Sequence, residues 1–287
     1  MRRWLIALVC SATLVVRATG VADTEHRRSP YVGAIAVDAT DGRAIFSERA
    51  DCECYPASCT KLMTMYLALE AVREGKVALA DRLYASTESL AEKPSVSGLK
   101  AGDGLTLENA FKALMVKSAN DVAVMIAVRI AGSTAAFVER MNETAKRLGM
   151  NSTRFVSPNG YPPPKGSKRG FDVSTAGDLA ILARVLVGKH PEILDYTSLA
   201  TVKITSLNGE SFEYVNHNNL IAKPKKRMSE ADGLKTGYHD AGGSSLVLTG
   251  KRGGKRAIVV VVGSAKAEER DEAARKLLTD SLGSLSW

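Results

Sequence analysis

Residues 244–263 read Ser-Ser-Leu-Val-Leu-Thr-Gly-Lys-Arg-Gly-Gly-Lys-Arg-Ala-Ile-Val-Val-Val-Val-Gly. Two β-rich runs, Ser244 to Thr249 and Arg256 to Gly263, flank the turn residues Gly253-Gly254. Strands joined by so short a turn pair antiparallel. The run Ile258 to Val262 is apolar at every position, which is the pattern of a strand covered on both faces. Ala267 to Leu282 follows as an amphipathic helix through Ala274, Leu277, Leu278 and Ser281.

Earlier in the chain, Val202 to Thr205 and Phe212 to Val215 flank Asn208-Gly209, a second hairpin signal. Near the start, Tyr31 to Val37 and Ala44 to Phe46 flank Asp41-Gly42 and read as a third. Pro56 opens a helix that runs to about Glu74 and stops at Gly75. Between them, residues 76–199 read mostly as helices. One of these, from Ala119 to Ile130, is apolar nearly all round and is expected to be buried. Ser133 is expected to cap the next helix, which ends at Gly149, and Ser174 to cap a helix from Thr175 to Val187. The order is strands, a long helical insert, strands, then a helix. It predicts an α+β chain with an antiparallel sheet flanked by helices, not a parallel doubly wound one. Residues 31–75 and 200–287 are expected to form the sheet lobe and 76–199 the helical lobe.

Length and composition agree. A chain of 287 residues with 45% apolar and 24% charged residues can bury a sizeable core and is not a disordered or fibrous protein. Arg2-Arg3, an apolar run from Trp4 to Val16 and small residues at Ala18, Gly20 and Ala22 read as a secretory signal peptide over residues 1–22. Its removal takes away three arginines and no acid, so the formal charge falls from +8 to +5. Cys10 leaves with it. Cys52, Cys54 and Cys59 have no second Cys/His pair with which to build a zinc set, and no metal is expected.

The chemistry-bearing signal is a set of three short motifs. Ser58-Cys-Thr-Lys61 places an amine three residues after a hydroxyl at a helix start, on one helix face. A neutral lysine there can take the serine proton. Ser118-Ala-Asn120 leads into the buried helix, and Lys235-Thr-Gly237 sits on a strand signal. Singly each is weak: Ser97-Gly-Leu-Lys100, Ser157-Pro-Asn159 and Ser206-Leu-Asn208 repeat the first two patterns. In order, separated by 60 and 117 residues, they form the motif set of penicillin-binding proteins and class A β-lactamases. The four histidines lack a Gly-x-Ser-x-Gly elbow, and no phosphate-binding glycine loop occurs.

From about Tyr31 to Leu282 the chain resembles the low-molecular-weight penicillin-binding proteins, the serine D-alanyl-D-alanine carboxypeptidases. The resemblance extends through Tyr55 to Thr64, Lys117 to Asp121, Asn216 to Leu220, Asp232 to Tyr238 and Glu272 to Leu278. It implies removal of the terminal D-Ala from peptidoglycan stem peptides, acylation by penicillins and no cofactor. It further implies Ser58 as nucleophile, Lys61 as base, Ser118 as proton relay and Asn120 as holder of the acyl side. The Ser58 and Tyr238 N–H groups would form the oxyanion hole, with Lys235, Thr236, Gly237 and Arg270 about the terminal carboxylate. The expected location is extracytoplasmic, in the periplasm or cell wall of a bacterium. Many relatives add a C-terminal β-domain and an amphipathic membrane helix; this chain ends at Trp287, just after the catalytic lobe, and neither a C-terminal β-domain nor a membrane anchor is expected.

The chain departs from the family pattern at Cys59, which would expose the site to thiol oxidation, and at His217, near which relatives often carry a basic group. A D,D-endopeptidase would use the same residues. A class A β-lactamase would need a further glutamate, and the loop from Arg154 to Val173 contains none. A wall-binding module using the basic clusters Lys223 to Arg227 and Lys165 to Arg169 is the non-enzymatic alternative. Anionic wall polymers, not nucleic acid, suit such clusters in an exported chain.

Overall fold

The computed structural model describes residues 30–163, 166, 167 and 169–285. The expected signal peptide lies outside them. The first hairpin is β1 (Gly33–Asp38) and β2 (Ala44–Glu48). A 3-10 turn (Ala57–Thr60) runs straight into α1 (Lys61–Arg73). Then come β3 (Arg82–Tyr84), α2 (Thr87–Leu90), β4 (Gly104–Thr106) and α3 (Leu107–Lys112). A π-turn (Ala113–Lys117) joins α3 to α4 (Asn120–Ala131), and α5 (Thr134–Leu148), α6 (Ala176–Lys189) and α7 (Ile193–Thr197) complete the helical segment. The chain closes with β5 (Thr201–Thr205), β6 (Ser211–Val215), α8 (Asn219–Ala222), β7 (Ala231–His239), β8 (Gly243–Arg252), β9 (Lys255–Ser264) and α9 (Ala267–Leu285).

The main sheet has the order β2-β1-β9-β8-β7, every pairing antiparallel. The apolar strand β9 is central, and its period of two explains why no polar residue interrupts it. Ala257, Val259 and Val261 join Ala274, Leu278 and Leu282 of α9 on one face. Ile258, Val260 and Val262 join the large core built on α1, α3, α4, α5 and α6 on the other. Each buried valine or isoleucine contributes roughly 1.5–3 kcal/mol.

Two expectations shift. The 201–215 hairpin is not part of the main sheet: β5 and β6 form a separate two-stranded sheet packed on the helical segment. Tyr214 donates its hydroxyl to the Ser97 carbonyl at 2.7 Å, and the Asn109 carboxamide donates to the Thr205 carbonyl at 3.0 Å. The cap of α6 is Thr175, whose side chain accepts from the Asp178 N–H, whereas Ser174 pairs with Cys54 in a backbone bridge. Among the described residues no single helix is long and apolar enough to cross a membrane.

An ion cluster ties α1 to the end of α6. Glu70 accepts from His190 at 2.7 Å, from Arg73 at 3.1 Å and from Lys189. Burial alone pushes the Glu70 carboxyl up, but bonds from Lys189, His190 and Arg73 outweigh it and hold the group at about 2, against 4.5 ordinarily. Such a carboxylate stabilises the fold above about pH 4.5 and loses that contribution as the pH falls toward 2. Glu70→Gln is expected to flatten the fall in stability between pH 5 and pH 3 by about 1–2 kcal/mol, measured by urea unfolding at each pH. An unchanged slope would show that Glu70 is not one of the groups titrating there.

Candidate active site

The 3-10 turn presents Ser58 at the head of α1, partly exposed, while Lys61 three residues on is fully buried. Ala57 holds a left-handed conformation (φ 48°), and so does Ser118 (φ 62°) after the π-turn. Both are sparsely populated by non-glycine residues, and such strain concentrates at functional sites. Ser118 is 3% exposed and Asn120 2%.

The Lys61 ammonium nitrogen has three partners. It lies 2.9 Å from Ser58 Oγ, 2.6 Å from Asn120 Oδ1 and 2.7 Å from the Asn159 carbonyl oxygen. The last two can only accept. A neutral Lys61 spends its two hydrogens on them, and its lone pair is left facing Ser58 Oγ, so the hydroxyl must then be the donor. An ordinary lysine is neutral for only about 0.04% of the time at pH 7. Burial holds Lys61 well below its usual range, and the Lys235 charge adds to this, while Glu92 and Asp172 partly oppose it.

Each partner is itself fixed. The Asn120 carboxamide donates to the Lys93 carbonyl at 2.9 Å, and its backbone N–H to Ser95 at 2.7 Å. The Asn159 loop is clamped from below: Asp172 accepts from the Ser157 hydroxyl at 2.6 Å and from the Val156 N–H at 2.8 Å. Thr64 of α1 donates to the Pro158 carbonyl. Glu92 accepts at 2.9 Å from the carboxamide of Asn159, the residue whose carbonyl meets Lys61, so a partly buried carboxylate backs the lysine's own partner.

Strand β7 forms the opposite wall. Lys235 is 2% exposed and donates to the Thr236 carbonyl at 2.9 Å. Burial chiefly lowers its ammonium to about 8, with Cys59 opposing the fall and Arg270 adding to it. A Cβ at Gly237 would lie 2.5 Å from the Pro56 carbonyl oxygen and 3.3 Å from the Cys59 nitrogen. Only glycine lets the strand come this close to the Ser58 turn, and the approach brings the backbone of Tyr238 toward that of Ser58. Arg270 is 4% exposed and directs two N–H groups at Asp271 Oδ1, at 3.0 and 2.6 Å. It therefore lends charge to the Lys235 wall while two of its five donors are engaged by Asp271.

The structure thus brings Ser58, Lys61 and Asn120 into one hydrogen-bonded cluster, with β7 against the Ser58 turn. Ser97, the alternative Ser-x-x-Lys serine, instead donates to Asp121 at 2.5 Å and braces the start of α4. Cys59 is fully buried and donates toward the Lys235 carbonyl at 3.6 Å; burial pushes its thiol up to about 11, against the pull of Lys235 and Arg270. That environment disfavours the thiolate, so the expected oxidation sensitivity does not follow from it. Among the described residues no group of three His, Cys, Asp or Glu side chains could hold a metal. Asn159 and Glu92 were not legible as site residues.

This α+β fold, with a serine and a buried lysine at a helix head facing a Lys-Thr-Gly strand, is that of the penicillin-binding and β-lactamase-like serine hydrolases. Residues 23–266 match the family model for D-alanyl-D-alanine carboxypeptidase, and the chain belongs to that family of serine peptidases. It is 32% identical over 284 residues to D-alanyl-D-alanine carboxypeptidase DacF of Bacillus subtilis, covering 97% of this chain and 70% of the relative. To DacD of Escherichia coli it is 31% identical, over 85% of this chain but only 61% of the relative. Penicillin-binding protein D2 of Listeria monocytogenes, solved with cefotaxime bound, superposes with a TM-score of 0.75 at 32% identity, covering 87% of this chain and 96% of that one. Penicillin-binding protein 3 of Streptococcus pneumoniae superposes at 0.80 with 29% identity, covering 89% and 72%.

Proposed function

We propose that the enzyme removes the terminal D-alanine from peptidoglycan stem peptides outside the cytoplasm, through an acyl-enzyme on Ser58. The observation that carries this is the place of the buried Lys61 Nζ, 2.9 Å from Ser58 Oγ and held on its other sides by two acceptor-only neighbours, so that the neutral amine would turn its lone pair to the hydroxyl. Lys61 takes the hydroxyl proton as Ser58 attacks the carbonyl carbon. The N–H groups of Ser58 and Tyr238 stabilise the oxyanion. The C–N bond breaks, and Ser118 passes a proton to the departing amine. Water then adds to the ester, with the lysine again as base, and frees Ser58. Asn120 holds the acyl side. Lys235 and Thr236 hold the terminal carboxylate, Gly237 admits the strand, and Arg270 reinforces the positive potential. Penicillins, whose strained amide presents the same carbonyl and carboxylate, acylate the same serine.

Incubation with an acyl-D-Ala-D-Ala pentapeptide is expected to release one D-alanine per tetrapeptide formed, and acyl-L-Ala-L-Ala is expected to be inert. Absence of D-alanine, with the chain folded, would overturn the reading. The Glu92 carboxylate raises the pKa of Lys61, so Glu92→Gln should make the neutral amine available at lower pH. The acidic limb of the acylation rate is expected to move down by about 0.3–1 pH unit, read from stopped-flow rates over pH 5–9. A shift toward alkaline pH would contradict that electrostatic link.

A further inference from the structure

Tyr238 stands between two residues of β7 that touch the segment carrying Ser58. Strand alternation turns Gly237 and His239 to one face and leaves the Tyr238 side chain on the other, 63% exposed. Gly237 closes on Pro56 and Cys59, and the buried His239 closes on Tyr55. The His239 and Tyr55 rings lie 5.9 Å apart, and Phe171 completes a cluster of three. Its ring stacks on Tyr55 at 4.7 Å and lies 5.6 Å from His239. Tyr55 leads into the Ser58 turn, and Phe171 directly precedes Asp172, which clamps the Asn159 loop. The cluster therefore joins the nucleophile, the loop that meets Lys61, and β7.

A hydrogen bond fixes the His239 ring within the β7–β8 turn. The Gly242 N–H donates to the His239 carbonyl at 3.0 Å and to His239 Nδ1 at 2.9 Å. Nδ1 can accept only without a proton, so this bond belongs to the neutral ring with its hydrogen on Nε2. Gly242 is itself wedged in place: a Cβ there would lie 2.8 Å from His239 Cε1 and 2.9 Å from the Tyr55 carbonyl oxygen.

We infer that His239 is a positioning residue for the oxyanion hole: its neutral ring, held by Gly242, Tyr55 and Phe171, sets the Tyr238 N–H opposite that of Ser58. This rests on the Ser58 acyl-enzyme reading and adds to it a residue that touches no substrate. A protonated ring would turn an N–H against the Gly242 N–H, lose that bond and loosen the turn. Burial pushes the ring's pKa down from 6.5, and the charge of Asp240 on the turn opposes the fall, so the accepting form holds at neutral pH. Tyr55 is the titratable group packed against the ring from the Ser58 segment. Asp172, beside Phe171, is turned to Ser157 and Val156.

The test measures D-alanine release from an acyl-D-Ala-D-Ala peptide by the full-length enzyme over pH 4–9, beside thermal melts. His239→Phe keeps a ring and removes the acceptor. It is expected to lower kcat about 10–50-fold with KM within about twofold, because oxyanion donors act in the transition state. His239→Asn puts an amide oxygen where Nδ1 stands, and is expected to bring kcat back to within about threefold of wild type at pH 8. On the acid side, kcat/KM of wild type is expected to steepen toward about two decades per pH unit, as Lys61 and His239 each take up a proton, and that of His239→Asn to keep a slope of about one. Wild-type kcat in His239→Phe would overturn the role, as would a loss confined to KM. Should His239→Phe not fold, equal acid slopes in wild type and His239→Asn would overturn it. Wild type that releases no D-alanine would overturn the Ser58 reading and this role with it.

Discussion

Ser58→Ala is expected to reduce D-alanine release by at least about 10⁴-fold while leaving the fold intact. Loss of the nucleophile in a serine hydrolase removes the covalent path outright, and what survives comes from binding and oxyanion stabilisation. Ser58 is partly exposed and contributes one hydrogen bond to Lys61, so its removal is expected to change stability by no more than about 1 kcal/mol. Steady-state kinetics beside a thermal melt separates the two effects. Activity within about tenfold of wild type, at unchanged Tm, would mean that water attacks the substrate directly and that no acyl-enzyme forms.

Lys61→Ala is expected to slow acylation by about 10²–10⁴-fold, the range that a positioned general base supplies. Its burial gives a second, sharper consequence. The folded-state pKa of Lys61 lies below its ordinary value, so the base is charged and useless at low pH and becomes neutral as the pH rises through the shifted value. Wild-type acylation is therefore expected to climb through that limb and then level, and Lys61→Ala to show a low rate without the limb. Truncation also strips a donor from Asn120 Oδ1 and the Asn159 carbonyl, so a thermal melt must accompany it. A variant that stays folded, acylates as fast as wild type and keeps the same pH limb would assign the base to another group.

What could be read in advance depended on whether the information was local. The run Ile258 to Val262 carries its burial in its own composition, and the Gly253-Gly254 turn fixes its antiparallel neighbour. The 201–215 hairpin shows one covered face through Ile204 and Tyr214, but alternation does not say what covers it. Here the cover is the helical segment, through Ser97 and Asn109. Adjacent Ser174 and Thr175 are both good caps, and only the bridge to Cys54 decides between them.

At the site, Ser58, Lys61, Ser118, Asn120 and Lys235 stand out because the chemistry demands particular side chains at fixed spacings. Asn159 enters through its carbonyl oxygen, a group every residue carries, and its Ser-Pro-Asn pattern gives no cue to that role. Glu92 arrives on a loop from before α4 with no motif around it. The left-handed turn at Ser118 likewise has no marker in Lys117-Ser-Ala119.

An acyl-enzyme requires a covalent bond to Ser58 Oγ. Intact-mass spectrometry of residues 23–287 mixed with benzylpenicillin, followed over time and mapped by peptide digestion, tests it directly. The expected result is a one-to-one adduct on the peptide containing Ser58, absent from Ser58→Ala. An adduct on any other residue, or none while penicillin remains intact, would contradict it.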